Sequence, residues 1–354
     1  MIKALLKITL FLSLTCAAGA WVGLRYIETW ATTEIPVIGG VNGEVLVELR
    51  PGLPLKSLAS QLETKNLISD QRLFWFWMRK NGDYPNLQAG TYIFKDTVSP
   101  AIIRQKMRDG DVYIPLVLQI VIPEGFTLKL LKNRLATKNV GKIPELNRLT
   151  TDRKFIRGLG IDAPTLEGFT YPATYSFDKM PTAEDFLRKT VKTFFEKLPD
   201  GYEDQVKRLG LTMLQAVTFA SLIEMETMRE EEKPLIAEVI WSRLKKGEPL
   251  GIDAALIYGI PDYDGDIRSR DLKDAKNPYN TRLHRGLPPT PIGAVSRSSL
   301  EAVLKPTSHG YYYYMLDSVD HSRHVFSKTL SEHNALVQKF LKAGKPTTMR
   351  RTFD

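Results

Sequence analysis

At 354 residues the chain is long enough for two or three domains, and with 43% hydrophobic, 10% aromatic and 25% charged residues it is not a wholly disordered protein. The net charge of +9 is compatible with an anionic partner, but the lysines and arginines are spread along the chain instead of forming a dense basic run. We therefore interpret the charge as a basic, solvated surface and expect no nucleic-acid partner.

Residues 1–27 are predicted to form a single membrane anchor. Lys3 and Lys7 precede an apolar stretch at residues 8–24, which Arg25 ends. The length of this stretch is at the short edge of what a bilayer-spanning helix needs. The positive start places the N-terminus in the cytoplasm, so we expect the rest of the chain on the periplasmic side of a cell inner membrane.

Two alternatives to the anchor stay open. Small residues at 18–20 fit the cleavage site of a removable signal peptide. Cys16 suggests a lipoprotein, although residues 13–15 lack the pattern expected before a lipid-carrying cysteine. As the single cysteine of the chain, Cys16 also excludes an internal disulfide and a cysteine-based metal site.

After the anchor we predict an α+β fold in two parts, followed by a basic tail at residues 346–354. Residues 28–43 are rich in Thr, Gly and Val and are predicted to be a linker. A small α+β module is predicted at residues 44–115. Hydrophobic periodicity and turn residues there predict strands at 44–49, 87–94 and 113–122 and helices at 55–65, 70–80 and 99–107.

A larger, mixed α+β domain is predicted at residues 116–345. It begins with a strand and helix at 121–136 and a loop at 139–147. The remaining elements are predicted as helices at 183–197, 202–209, 212–228 and 233–246, an irregular stretch at 247–296, a helix at 298–304, paired strands at 311–317 and 325–326, and a closing helix at 331–343.

The helix predicted at residues 212–228 is apolar on nearly all of its faces, which is typical of a buried helix, and yet it carries Glu224 and Glu226. Burial disfavours the charged form of a carboxyl group. An acid that keeps its proton near neutral pH can donate it to a leaving oxygen, as cleavage of a glycosidic bond requires. A structural ion pair with a nearby Arg or Lys explains a buried glutamate equally well, and the spacing does not choose between the two glutamates.

Residues 219–227, with the sequence FASLIEMET, resemble the catalytic helix of the endolytic murein transglycosylases, the MltG or YceG-like family. Other segments resemble the same family and occur in the family's order. They are IPEG at 122–125, LEGFTYPATY at 166–175, IYG at 257–259, YNT at 279–281, GLPP at 286–289, HVFSKT at 324–329 and EHN at 332–334. The resemblance covers nearly the whole chain, and the ordered set of matches is specific where one match alone would be weak.

The resemblance implies an inner-membrane anchor, a LysM-like module and a catalytic domain that acts on peptidoglycan glycan strands without a cofactor. It places Glu224 at the family's catalytic acid. The implied reaction breaks the bond between N-acetylmuramic acid and N-acetylglucosamine when the muramyl C6 hydroxyl attacks its own C1, which leaves a 1,6-anhydro end. We expect this reaction to terminate glycan elongation, with peptidoglycan synthases as candidate partners.

The irregular segment at residues 252–290 is expected to line a glycan groove. The candidate substrate-binding residues offer hydrogen bonds or aromatic faces to sugars, and they are Glu226, Asp253, Tyr258, Tyr279, Asn280 and Thr281. For the loop residues among them, turn structure and packing are equally good explanations.

The chain departs from the family pattern at four places. The sequence IDAA stands at 252–255 for the usual TDPT, Arg282 replaces a tyrosine, Thr290 replaces a glycine, and AVS stands at 294–296 for NPG. These departures motivate an alternative function, a catalytically impaired peptidoglycan-binding or division scaffold with the same fold.

The histidines raise the further alternative of a zinc site. All five lie after residue 283, and His321, His324 and His333 are close together in sequence. Neither a His-Glu-x-x-His run nor an acid at ligand spacing accompanies them. We therefore expect these histidines to pack the terminal strand and helix and to bind no metal.

Overall fold

The computed structural model describes residues 2–40, 43–113, 115–317, 319–320 and 322–343. The chain divides into two compact units, Met1–Pro115 and Leu116–Asp354. Both units combine helices with short antiparallel strand pairs, which confirms the predicted mixed α+β fold. The predicted basic tail at residues 346–354 lies outside the described residues.

The first unit begins with a long helix and continues as a small α+β module. Its helices are α1 (Ile2–Thr32), α2 (Leu55–Thr64), α3 (Gln71–Asn81) and α4 (Pro100–Asp109), with a 3₁₀ turn at Tyr84–Asn86. Its strands are β1 (Ile35–Pro36), β2 (Val45–Leu49), β3 (Gly90–Phe94) and β4 (Thr97–Val98). Strand β2 alternates buried and exposed residues and pairs with β3, so one face of the pair covers the module's core.

The predicted linker at residues 28–43 is wrong over its first part, because α1 continues to Thr32 and β1 then pairs with β4. The Glu28 carboxylate accepts hydrogen bonds from Lys80 Nζ (2.7 Å) and Trp77 Nε1 (3.1 Å). Ala31 is fully buried in the module's core. These contacts with α3 hold the end of α1 as a helix, and composition alone did not indicate them.

The described part of the chain contains no single helix that is long and apolar enough to cross a membrane. A bent pair, Tyr202–Arg208 with Met213–Glu226, meets the length and composition criteria only when the two helices are taken together.

In the second unit, helices and two strand pairs pack around one hydrophobic core. Its helices are α5 (Leu128–Thr137), α6 (Ile143–Thr151), α7 (Arg153–Gly158), α8 (Ala183–Glu196), α9 (Tyr202–Arg208), α10 (Met213–Glu226), α11 (Lys233–Lys246), α12 (Asp253–Tyr258), α13 (Ser269–Leu272), α14 (Arg297–Leu304) and α15 (Leu330–Ala343). Its strands are β5 (Leu118–Ile122), β6 (Ala173–Phe177), β7 (Tyr313–Leu316) and β8 (His324–Ser327). Strand β5 pairs with β6, and β7 pairs with β8.

Several elements of this unit differ from the sequence prediction. Helix α7 was not predicted, and the short helices α12 and α13 lie within the stretch predicted to be irregular at residues 247–296. Helix α6 occupies part of the segment predicted as a loop at residues 139–147, because Leu146 and Leu149 pack into the core and Glu145 caps the start of the helix. Strand β6 lies within and after the LEGFTYPATY segment, which carries no clear alternation of its own. Pairing with β5 fixes its extended conformation, a long-range effect that local periodicity does not report.

The segment at residues 291–296 is fixed on two sides. On one side, Ser221 Oγ of α10 accepts a hydrogen bond from Ile292 N (3.0 Å). On the other side, Ala294 exchanges backbone hydrogen bonds with the turn after β5, at 2.8 Å to Gly125 N and 3.0 Å to Phe126 O. Backbone contacts this close leave no space for a side chain at position 293, where a Cβ would lie 2.6 Å from Gly125 O.

Gly168 is the second close approach to this segment, and its replacement tests the packing. It has φ +83°, and a Cβ there would lie 2.4 Å from Pro291 Cβ and 2.9 Å from Val217 Cγ1. We predict that Gly168→Ala lowers the free energy of unfolding by about 2–5 kcal/mol, because left-handed strain adds to overpacking. Urea unfolding followed by far-UV circular dichroism measures the loss.

The matched control is Gly201→Ala. Gly201 has a similar φ of +63°, but nothing lies within 4 Å of its Cβ position. It should lose only about 1–2 kcal/mol, the cost of left-handed strain. Equal losses in the two variants would contradict the close packing of Gly168 against Pro291.

Candidate active site

Helix α10 carries Glu224 into the core of the second unit. Thr212 caps the helix by accepting a hydrogen bond from Gln215 N, and the Gln215 side chain caps the backbone of Thr212 in return. Every residue from Ala216 to Glu224 is buried, so the prediction of a buried helix is confirmed. The Glu224 side chain has no exposed surface.

The Glu224 carboxyl group lies at the first residues of α14. Its Oε2 atom accepts hydrogen bonds from Ser296 N (2.9 Å), Ser296 Oγ (2.5 Å) and Ser299 Oγ (2.7 Å). Ser296 is the N-cap of α14, and the positive end of a helix dipole favours a carboxylate at this place. One carboxyl oxygen is therefore held by three donors from α14.

The other carboxyl oxygen faces a lysine. Lys233 Nζ lies 3.6 Å from Glu224 Oε1, and the Lys233 side chain is 1% exposed. The same ammonium donates to Ser296 Oγ (3.0 Å), Ser298 Oγ (2.8 Å) and Glu230 Oε1 (2.7 Å). The apolar sequence of α10 predicted apolar surroundings for Glu224, but a cation and hydroxyl donors lie beside its carboxyl group instead.

Sequence reasoning missed Lys233, because its burial is visible only in the structure. Lys233 is the first residue of α11, where the helix dipole disfavours a cation. A lysine at that place that is also buried needs a nearby anion, and Glu224 and Glu230 supply one each.

Glu226 has different surroundings from Glu224. It is partly exposed, and its carboxylate bonds the hydroxyl of Tyr314 on β7. Burial raises the pKa of Tyr314 well above its ordinary value, and the charge of Glu226 raises it further. The two glutamates that spacing did not distinguish are thus distinguished by the structure, since only Glu224 is fully buried.

Asp253 lies at an exposed edge, at the start of α12. Its side chain is 51% exposed, and its Oδ1 accepts hydrogen bonds from Arg282 at 2.6 Å and 3.1 Å. Arg282 is one of the departures from the family pattern, and its pairing with a candidate site residue was not predicted.

Asn280 and Thr281 do not face solvent, which argues against the predicted direct contact with substrate. Asn280 is fully buried, and its Nδ2 donates to backbone carbonyls of Asp271, Leu272 and Asp274. Thr281 Oγ1 bonds both the N–H and the carbonyl of Ile252. In this structure both residues fix the loop between α12 and α14, because backbone groups of that loop use their polar atoms.

Tyr258 and Tyr279 form a partly buried aromatic pair, with ring centroids 4.8 Å apart and an edge-to-face geometry. Tyr279 bonds Thr290 Oγ1 (2.7 Å). The hydroxyl of Tyr258 donates to Glu167 Oε2 (2.7 Å), so Tyr258 links this pair to a second buried carboxyl group.

Glu167 joins three segments of the second unit. It is 2% exposed and accepts a hydrogen bond from Leu128 N at the start of α5, as well as the one from Tyr258. Burial raises the pKa of Glu167 to about 7, although the Tyr258 and Leu128 hydrogen bonds lower it in part. Glu167 lies in the LEGFTYPATY segment, and the sequence alone indicated no role for it.

His324 packs as a partner of Glu232. Its Nδ1 lies 2.8 Å from Glu232 Oε2, and its backbone N–H donates to Glu232 Oε1 (2.9 Å). Thr227, at the end of α10, bonds the same carboxylate. His321 lies outside the described residues, and within them no three His, Cys, Asp or Glu side chains are grouped as metal ligands would be.

Three comparisons with known proteins agree with one another. The model of the YceG-like family matches residues 47–339. The endolytic murein transglycosylase of Bacillus subtilis (strain 168) is 28% identical over 321 residues, covering 86% of this chain and 87% of that protein. The endolytic murein transglycosylase of Streptococcus pneumoniae (serotype 2, strain D39) is 25% identical over 356 residues, covering 90% of this chain and 64% of that protein.

A solved structure is similar as well. The 2.6 Å crystal structure of a yceG-like protein from Listeria monocytogenes superposes with a TM-score of 0.57 at 30% identity. The match covers 84% of this chain and 99% of that one.

The raised pKa of Glu167 predicts how stability depends on pH. Because the folded pKa of about 7 lies above the ordinary 4.5, the folded state favours the neutral acid. Its contribution to stability is complete below about pH 4.5 and is lost as the pH rises through 7. The free energy of unfolding of the wild type should therefore decrease between pH 4.5 and pH 8. We predict that this decrease is about 3 kcal/mol smaller in Glu167→Gln, as measured by urea unfolding.

Tyr258→Phe should change the pH dependence of stability in the opposite direction to Glu167→Gln. It removes a hydrogen bond that lowers the pKa of Glu167, so the loss of stability with rising pH should extend to higher pH than in the wild type. A wild-type pH dependence in both variants would contradict the assigned environment of Glu167.

Proposed function

The chain belongs to the YceG-like family and is a lytic transglycosylase that acts on peptidoglycan, and we propose that Glu224 is its general acid and base. The observation that carries this assignment is the position of Glu224. It is the fully buried carboxyl group of α10, within the segment that resembles the family's catalytic helix, and both of its oxygens are held by polar groups.

A single acid is sufficient for the proposed reaction. Most glycosidases need a second carboxylate to act as a nucleophile or to activate water. Here the muramyl C6 hydroxyl attacks its own C1, so the substrate supplies the nucleophile at high effective concentration. Glu224 gives its proton to the leaving oxygen of N-acetylglucosamine and then accepts the proton of the C6 hydroxyl, which restores the acid.

The glycan approaches Glu224 past partly exposed neighbours. The Glu224 side chain itself has no exposed surface, so side chains beside it must move when a sugar binds. Ser298 and Tyr171 are partly exposed. Burial raises the pKa of Tyr171, and the charges of Glu124 and, to a smaller extent, Glu224 raise it further. We assign Ser298 and Tyr171 to the boundary between the acid and solvent.

Sugar contacts are assigned to residues that keep an exposed face. Asp253, with its partner Arg282, offers charged hydrogen-bonding groups at the surface. Glu226, Tyr258 and Tyr279 are partly exposed, and the two tyrosines offer aromatic faces. Asn280 and Thr281 shape the loop that carries these groups.

The cellular setting is proposed from the sequence. Residues 1–27 act as a single inner-membrane anchor, and the module that follows is LysM-like. The catalytic domain lies in the periplasm, where it acts on nascent glycan strands and terminates their elongation. Peptidoglycan synthases, which make those strands, are the proposed protein partners.

Product analysis tests the role of Glu224. We predict that the purified full chain in detergent converts glycan strands into fragments with 1,6-anhydro ends, which mass spectrometry identifies. Glu224→Gln keeps the shape of the side chain but carries no transferable acid proton. It should reduce product formation by about a hundredfold to ten-thousandfold, the usual contribution of a general acid and base.

Glu226→Gln is the matched control, two residues away on the same helix, and it should lose much less activity. Comparable losses in both variants would contradict the choice of Glu224. Reducing ends without the anhydro mass would indicate hydrolysis, and no product from the wild type would favour the alternative of a non-catalytic scaffold. A metal chelator should leave the activity unchanged, and inhibition by the chelator would favour the alternative of a zinc site at the histidines.

A further inference from the structure

Lys233 stands between two acids that differ in exposure. Its ammonium lies 2.7 Å from Glu230 Oε1 and 3.6 Å from Glu224 Oε1. The Glu230 side chain is 61% exposed, whereas Lys233 and Glu224 are 1% and 0% exposed. Glu230, Lys233 and Glu224 therefore form a row of charged groups that leads from the protein surface to the buried end of α10.

Burial makes the charge of Lys233 important to Glu224. A carboxylate without exposed surface loses its hydration, and an unpaired buried charge costs several kcal/mol. When Glu224 gives up its proton, a negative charge appears at this place. The ammonium of Lys233 is already present to balance it, held by the hydroxyls of Ser296 and Ser298.

We propose that Lys233 is a positioning residue that balances the negative charge on Glu224 each time this acid transfers its proton. The inference rests on the proposed function of Glu224 and deepens it. In the forward step the C1–O4 bond breaks, its electron pair goes to O4, and the Glu224 proton follows. The C6 oxygen then bonds C1, and its proton returns to Glu224, so Lys233 keeps all of its own protons throughout.

Other charged and titratable groups lie on the elements around Glu224. Glu226 lies on the same helix, and Tyr171 lies on the loop before β6. The environment of Tyr171 includes Glu124 and Arg297, and Arg297 directly follows Ser296 at the start of α14. These groups remain in a Lys233 variant, so the change measured there reports the ammonium itself.

Activity across pH tests the proposal with Lys233→Met and Lys233→Arg of the full chain. Methionine keeps the stem but removes the charge, so a proton leaves Glu224 less readily. The alkaline limb of the pH–activity profile should move up by about 1–3 pH units, because an opposite charge at this distance has an effect of that size. The maximal rate should fall by about a hundredfold or more. Lys233→Arg should keep the wild-type limb.

A wild-type alkaline limb in Lys233→Met would overturn the proposal, since a merely structural lysine lowers activity without moving the limb. If the wild type forms no product, the proposed function fails instead. Stability alone then tests whether Lys233 and Glu224 interact, through urea unfolding of Glu224→Gln, Lys233→Met and the double variant.

In this cycle the Lys233→Met change should lower the folding equilibrium constant at least about tenfold more when Glu224 is present than when it is glutamine. Equal effects in the two backgrounds would overturn the proposal whether or not the chain is active.

Discussion

The structure of the second unit depends on the placement of one carboxyl group inside a hydrophobic core. Removing a carboxylate from water costs several kcal/mol unless hydrogen bonds and an opposite charge replace its hydration. For Glu224 the replacements come from outside its own helix, with three donors from α14 and a cation from α11. The packing of α10, α11 and α14 against one another is thus linked to the chemistry of the Glu224 side chain.

The segment at residues 291–296 is what brings α14 to this position. Its backbone is held by Ser221 of α10 on one side and by the turn after β5 on the other. Gly293 allows the close approach, because any side chain there would meet the carbonyl of Gly125. Ser296 follows at the end of the segment, where its N–H and hydroxyl both reach Glu224. Backbone geometry therefore determines which groups can touch the acid.

Local pattern was sufficient for much of the fold and for part of the site. The apolar circumference of α10 predicted its burial, and alternation predicted β2. What local pattern could not report are contacts made across the chain. Glu28 extends α1 by bonding α3, pairing with β5 creates β6, and Lys233 reaches Glu224 from the next helix. Asn280 is a related case, since a polar loop residue proved to be fully buried.

The departures from the family pattern are informative in this light, because three of them contact candidate site residues. Ser296, where the family has glycine, donates to Glu224. Arg282, where it has tyrosine, pairs with Asp253. Thr290, where it has glycine, bonds Tyr279.

Buried polar groups are costly when unsatisfied, and the hydroxyl of Ser296 is satisfied by the carboxyl group it touches. The substitutions are thus matched to the site around them. The acid thus stays held by hydrogen bonds and a cation although the residues around it depart from the family pattern.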